Sequence, residues 1–276
     1  MAFRLANLDG RAVLIDGEGW HDLASASDGA FSGDPMDAVR RHAELHAVSL
    51  EGRTPDGAVA DATFDTPVPS PRSVFAVGLN YADHAGEADM ELPENPLVFT
   101  KFPSCLVGPT ADVVLGTGAA DYEAELVVVI GTGGRDIAAA DAWDHVMGLT
   151  VGQDISDRAL QFAAKPPHFD LGKSRDTYGP CGPAIVSTDL VADPTNLAIT
   201  CDVNGERRQT GNTGQLIFDV PTLIAYLSSI LTLEVGDLIF TGTPEGVGAM
   251  QGKFLAAGDV VETTIEGLGT LRNVCV

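Results

Sequence analysis

The chain has 276 residues, enough to bury a full core, and its 16 Lys and Arg against 39 Asp and Glu leave a formal charge of −23. A surface that acidic repels phosphate backbones and anionic bilayers, which removes nucleic acid and membrane from the expected partners. No apolar run reaches the ~18 residues of a membrane-spanning helix, and residues 1–5 lack the core of a signal peptide, so a cytoplasmic protein is expected.

Residues 1–65 read as a small unit of their own. Asp9-Gly10 and Asp16-Gly17 punctuate short apolar runs, the signature of hairpins. A helix is expected over 34–49, with Asp34 as cap, Pro35 in the first position, and Val39, Leu45 and Val48 on its apolar side. His42 and His46 lie four apart on it with Glu44 between them. The pattern looks like a metal-binding H-E-x-x-H, but the glutamate falls on another face, and an exposed helix surface is the expected reading. Residues 66–72, with Pro67, Pro69 and Pro71, form a stiff linker, and 73–276 make the main domain.

That domain opens with a strand over 73–79. If 81–88 is a helical turn, His84 and Glu87 are neighbours, and an imidazole held by a carboxylate is a standard general base; a surface contact is the plain alternative for the pair taken alone. The polar stretch 89–96 suits a lid that orders over a ligand. Next comes Asp121-Tyr122-Glu123-Ala124-Glu125, running into the β-branched stretch 126–130, a buried strand. Alternation puts Glu123 and Glu125 on one face, roughly 7 Å apart along the strand. Two like charges leaving water together call for a positive partner, economically a divalent cation; a solvated strand end is the plain alternative for Glu-x-Glu taken alone. The glycines at 116–118 and 131–134 lack the dinucleotide-binding spacing and read as tight turns.

A strand over 146–151 ends near Asp154, a third carboxylate within reach of the pair. Arg158 and Gln161 follow on one face of a helix expected from Ile155. Three carboxylates make an all-oxygen site for Mg²⁺ or Mn²⁺ first and Ca²⁺ next. Lys173 stands alone in a loop near this acidic site. Asn204-Gly205 turns a hairpin, 219–231 is a capped amphipathic helix, and 259–276 reads as two strands about Gly267-Leu268-Gly269. The Gly/Thr loop over 241–248 exposes donors able to hold a carboxylate. Cys105, Cys181, Cys201 and Cys275 show no C-x-x-C spacing and are expected as buried thiols.

Taken together and in order, six motifs carry a resemblance: Asn80-Tyr81 with His84 and Glu87; Glu123-x-Glu125; Asp154, Arg158 and Gln161; Leu171-Gly172-Lys173-Ser174; Val203-Asn204-Gly205; and Thr241-Gly242-Thr243-Pro244 with Gly246 and Gly248. The chain resembles the fumarylacetoacetate hydrolase family over about 73–276, with a small N-terminal domain as in bacterial members. The resemblance implies an α+β, β-rich fold, a mixed β-sandwich roll with a small N-terminal α/β domain, and a homodimer. It implies a Mg²⁺- or Mn²⁺-dependent site for small 2-oxo or 2,4-dioxo acids. Glu123, Glu125 and Asp154 would bind metal, and His84 with Glu87 would activate water. Lys173 would stabilise a developing oxyanion, and Arg158, Gln161, Thr241, Gly242 and Thr243 would contact substrate. Hydrolytic C–C cleavage of an acylpyruvate is the expected reaction. Oxaloacetate-type decarboxylation, dienoate isomerisation or lyase chemistry, and a purely structural metal module are the alternatives.

Overall fold

In the computed structural model, residues 2–82, 93–116 and 118–276 are described. The strand Ala124–Ile130 sets the architecture, since all seven of its residues are buried. Leu126, Val128 and Ile130 enter one apolar core, and Val127 and Val129 enter another. A strand that is apolar on both faces must lie inside a sheet covered on both sides.

It pairs antiparallel with Val146–Gln153 on one side and with Leu238–Phe240 on the other. Among the described residues the sheet has twelve strands. Outward from Val146–Gln153 it continues through Gly179–Ser187 and Arg4–Leu8 to Arg11–Asp16 and Gly19–Asp22. In the other direction Leu238–Phe240 pairs parallel with Val74–Gly78, which pairs antiparallel with the edge strand Leu97–Thr100. The sheet therefore runs unbroken from the N-terminal hairpin into the main domain, across the boundary expected at 66–72.

A second, antiparallel sheet has the order Glu206–Asn212, Ala198–Val203, Val260–Ile265, Gly269–Val274. Its Ile199, Cys201, Val261 and Ile265 meet Leu126 and Val128 in the first core, joined by Leu223, Ile224 and Leu227 of the helix Val220–Ile230. On the opposite face Phe3, Leu5, Leu14, Met36 and Val39 pack with Val127, Val129 and Phe240. The β-rich sandwich read from the sequence is the fold observed. All four cysteines are buried and unbridged, and no helix among the described residues is long and apolar enough to cross a membrane.

Local signals hold where the chemistry is local. Asp219 accepts from Thr222 N at 2.9 Å and starts the helix Val220–Ile230. Asn204 and Gly205 take φ of 53° and 77°, the left-handed pair of a tight hairpin turn. Asp34 caps a helix by accepting from Met36 N, but that helix, Pro35–Arg40, stops at Arg41 and a separate turn, His42–Leu45, follows. Arg41 holds the break, donating to Ala30 O and to both oxygens of Glu44. Ser156–Asp157 is extended and pairs with Ala120–Asp121, so the helix expected from Ile155 begins only at Arg158, capped by Asp157.

Candidate metal centre

Glu123 and Glu125 occupy the odd positions that continue, toward the strand start, the face bearing Val127 and Val129. Asp154 leaves the end of the antiparallel neighbour, and its amide donates to Glu123 O at 2.9 Å, which brings the third carboxylate beside the first two. One ligand oxygen from each of the three lies within 4.8 Å of the others. A cation bound at about 2.0–2.6 Å from each oxygen needs that spacing, so the all-oxygen donor set fits a hard divalent ion. All three residues are buried, Asp154 completely. Burial, and then the Asp154 and Glu123 charges, push the Glu125 carboxyl well above the usual carboxylate range.

Fixed donors hold the set. Lys173, buried at the end of the turn Phe169–Gly172, places its Nζ 2.6 Å from Glu123 Oε2 and 2.7 Å from Asp154 Oδ2. Lys101 Nζ donates to Asp154 Oδ1 at 2.7 Å. Burial alone would lower the Lys101 pKa, but the charge and hydrogen bond of Asp154, joined by Cys105 and Glu125, together raise the ammonium above its ordinary value. Arg158 Nη2 reaches Glu123 Oε1 at 2.5 Å and Asp121 Oδ2 at 2.7 Å. Asp121, fully buried, also accepts from the amides of Tyr122, Gly248 and Ala249. It thereby ties the turn Gly248–Gln251 to the arginine that holds Glu123.

The loop after Leu238–Phe240 supports the centre from behind. Gly242 N donates to Glu125 Oε2 at 2.7 Å. Gly242 has φ of 101°, and a Cβ there would lie 2.8 Å from Asn80 Cβ, so glycine is required for this approach. Asn80 clamps the loop, donating to Thr241 O and Phe218 O and accepting from Phe218 N. A cavity of about 440 Å³ opens over the centre, with Glu123, Arg158, Gln161, Lys173 and Thr243 on its polar side. Its other walls are apolar, among them Leu97, Phe99, Phe169 and Met250.

Residues 73–276 match the family described as fumarylacetoacetate (FAA) hydrolase C-terminal. The chain belongs to the fumarylacetoacetate hydrolase family. It is 46% identical to the human mitochondrial oxaloacetate tautomerase FAHD2A over 221 residues, 79% of this chain and 70% of that protein. A Mycobacterium smegmatis protein proposed to be HpcE is similar over 99% of both chains, with 46% identity and a TM-score of 0.93. A Sphingobium maleylpyruvate hydrolase, solved with manganese(II) and pyruvate, covers 99% of this chain and 98% of its own at 31% identity and a TM-score of 0.79.

Within this family fold, the residues expected from the sequence part into three groups. Glu123, Glu125, Asp154 and Lys173 converge on the centre, and Arg158, Gln161 and Thr243 line the cavity beside them. Thr241 and Gly242, expected to hold substrate, face inward instead. Thr241 Oγ1 donates to Leu126 O, and Gly242 N is taken by Glu125 Oε2. His84 and Glu87 lie outside the described residues, as does 89–92 of the expected lid. In the turn His42–Leu45, His42 is half-buried rather than exposed, and burial lowers its pKa.

Two residues that hold the carboxylate set in place escaped the sequence reading. Asp121 stands in the very stretch that carries the glutamates, but gives no spacing signal of its own. Lys101 had a usable signal, a lysine set between Phe99 and Phe102 at the end of an apolar strand. A charge in such a run asks for a buried partner.

Proposed function

We propose that the protein is a divalent-metal-dependent enzyme acting on a small 2-oxo acid, by a reaction that passes through the acid's enol form. The observation that carries this reading is the Lys173 ammonium set between Glu123 and Asp154 on the polar side of the cavity. Glu123, Glu125 and Asp154 would hold the ion, Mg²⁺ or Mn²⁺, and a manganese-bound relative supports that choice. Once bound, the cation would supply Lewis acidity toward the oxygens of the substrate. Lys173 donates to the 2-oxygen as negative charge develops there. Arg158 and Gln161, joined by a 3.0 Å hydrogen bond, form one rim against which the acid is oriented. The apolar walls limit the access of water to the reacting carbon. His84, with Glu87 as the partner expected from the sequence, is the group proposed to move the proton.

Proton transfer between the keto and enol forms of an oxaloacetate-type acid is the first reading, supported by 46% identity to an oxaloacetate tautomerase. Hydrolysis of an acylpyruvate is the second, supported by the similarity to a maleylpyruvate hydrolase solved with pyruvate. There, water deprotonated by His84 adds to the distal carbonyl and the C–C bond breaks. The electron pair leaves on the pyruvate fragment as its enolate, stabilised by Lys173 until protonation. We further propose a homodimer; the strand Leu97–Thr100, whose outer edge meets no further strand among the described residues, with Leu97 and Ile230 exposed nearby, supports a self-association surface.

The deciding experiment offers the purified protein oxaloacetate and a series of acylpyruvates, with Mg²⁺ or Mn²⁺ and after chelation. Enol absorbance that decays faster with enzyme, without pyruvate, marks a tautomerase. Pyruvate with a carboxylic acid marks a hydrolase, and pyruvate with CO₂ a decarboxylase. A chain that melts lower on chelation yet turns over none of these acids is a structural metal module, and the enzymatic reading fails.

A further inference from the structure

Asp121 is completely buried and does not line the cavity, yet four residues aim donors at it. The amides of Tyr122 and Gly248 donate to Oδ1 at 2.8 and 2.6 Å, and the amide of Ala249 donates to Oδ2 at 3.0 Å. Arg158 Nε donates to the same Oδ2 at 2.9 Å, and Arg158 Nη2 lies 2.7 Å from it. Only a side chain that accepts on both of its oxygens satisfies all of these, and a carboxylate does.

Arg158 carries that constraint to the cavity. Its Nη2 donates to Glu123 Oε1 at 2.5 Å, and its Nη1 donates to Gln161 Oε1 at 3.0 Å. A guanidinium only donates, so the oxygen of the Gln161 amide must face it and the Nε2 group must point away. Gln161 lines the cavity, and its Nε2 donates to no protein group among the described residues. With its oxygen taken by Arg158, this amide offers a ligand N–H donors and no acceptor.

We propose that Asp121 is a positioning residue for substrate recognition. By fixing the Arg158 fork it fixes the Gln161 amide, and the rim then selects a carboxylate over the matching carboxamide. The inference rests on the 2-oxo acid reading above. Either oxygen of a carboxylate accepts from Gln161 Nε2, whereas the NH₂ of a carboxamide set there leaves donor facing donor. In Asp121→Asn one oxygen still accepts, but the new NH₂ group faces protein donors whichever way the side chain turns. The backbone amides are fixed and the Arg158 side chain is not, so the arginine gives way and Gln161 is free to rotate.

The test measures dissociation constants of pyruvate and of its carboxamide, pyruvamide, by titration calorimetry on the full chain with Mn²⁺. Pyruvate is the probe because a manganese-bound relative was solved with it. Wild type should bind pyruvate in preference to pyruvamide. Asp121→Asn should narrow that ratio by about tenfold, the scale of a buried donor left without its acceptor. Loss of a negative charge would by itself favour the anion and widen the ratio, so narrowing reports orientation rather than charge. Gln161→Met should narrow the ratio as well, and adding Asp121→Asn to it should have no further effect. Arg158→Lys keeps the charge but replaces a fork bonded through three separate nitrogens by a single one. It should narrow the ratio too, and it decides the matter if Asp121→Asn does not fold. A purely structural Asp121 would lower the melting temperature and leave the ratio alone. An unchanged ratio in every variant that folds overturns the proposal while the 2-oxo acid reading stands. So does an Asp121→Asn effect that persists undiminished beside Gln161→Met, or a wild type without preference for pyruvate. A wild type that binds neither compound overturns both.

Discussion

Two stretches of this chain carry metal-like spacing, and the fold treats them in opposite ways. Glu123-x-Glu125 is drawn together with Asp154 until their oxygens lie within 4.8 Å. His42, Glu44 and His46 are dispersed: Glu44 is taken by Arg41, His46 stacks edge-on against Phe3, and His42 turns half-inward. The difference lies in what surrounds each stretch. A strand inside a two-faced sheet has a neighbouring strand whose end can deliver a third ligand, and its buried position makes the charges seek a counter-ion. A short helical turn at the surface has solvent and local ion pairs to satisfy its polar groups, and nothing forces convergence.

The comparison breaks first if the carboxylates are expendable. Glu125→Gln or Asp154→Asn should weaken Mn²⁺ binding by more than the 10–100-fold typical of a partner behind a ligand, and abolish metal-dependent turnover. His42→Ala and His46→Ala should leave calorimetric stoichiometry and affinity for the metal unchanged. Metal binding lost in the histidine variants, or kept in the carboxylate variants, would reverse the assignment of the two regions.

Next in size is Lys173. Lys173→Met should lower kcat by roughly 10²–10³, the scale of a lost oxyanion donor, with metal still bound. Unimpaired turnover in that variant would leave the ammonium with a structural role only.

A smaller effect concerns protons. The folded Glu125 carboxyl sits above its ordinary range, so in the metal-free protein its ionisation costs stability as pH rises through the usual carboxylate values toward the folded one. A divalent cation binds the ionised form. Metal affinity should therefore rise with pH across that interval, and binding should release protons, read from calorimetry in buffers of different ionisation enthalpy. No buffer dependence below neutral pH would contradict the raised pKa. The smallest effects are local: Asp219→Ala and Asp34→Ala each remove a helix cap and should cost about 1 kcal/mol in urea unfolding, without altering metal affinity.

How much of the site could be read in advance follows the same division. Glu123 and Glu125 were legible because strand alternation is a local rule, and Asp154 because it ends a second apolar run. Lys173 was legible as a lone cation beside an acidic site. Thr241 and Gly242 were expected at the substrate, whereas their hydroxyl and amide donate to Leu126 O and Glu125; a Gly/Thr loop announces donors but not which way they point. Asp121 and Lys101 act through partners 37 and 53 positions away, Arg158 and Asp154, and no short spacing reveals such pairs.

By itself the sequence determined the elements whose causes are local: the buried strand, the capped helix at Asp219, the Asn204-Gly205 hairpin and the acidic surface. It also determined the family, because six motifs in order are improbable by chance. Only the tertiary structure decided which donor holds which oxygen. Those contacts join the end of an edge strand, a loop behind the sheet and a short helix. Their geometry depends on how strands far apart in sequence come into register, a matter of packing rather than of local propensity.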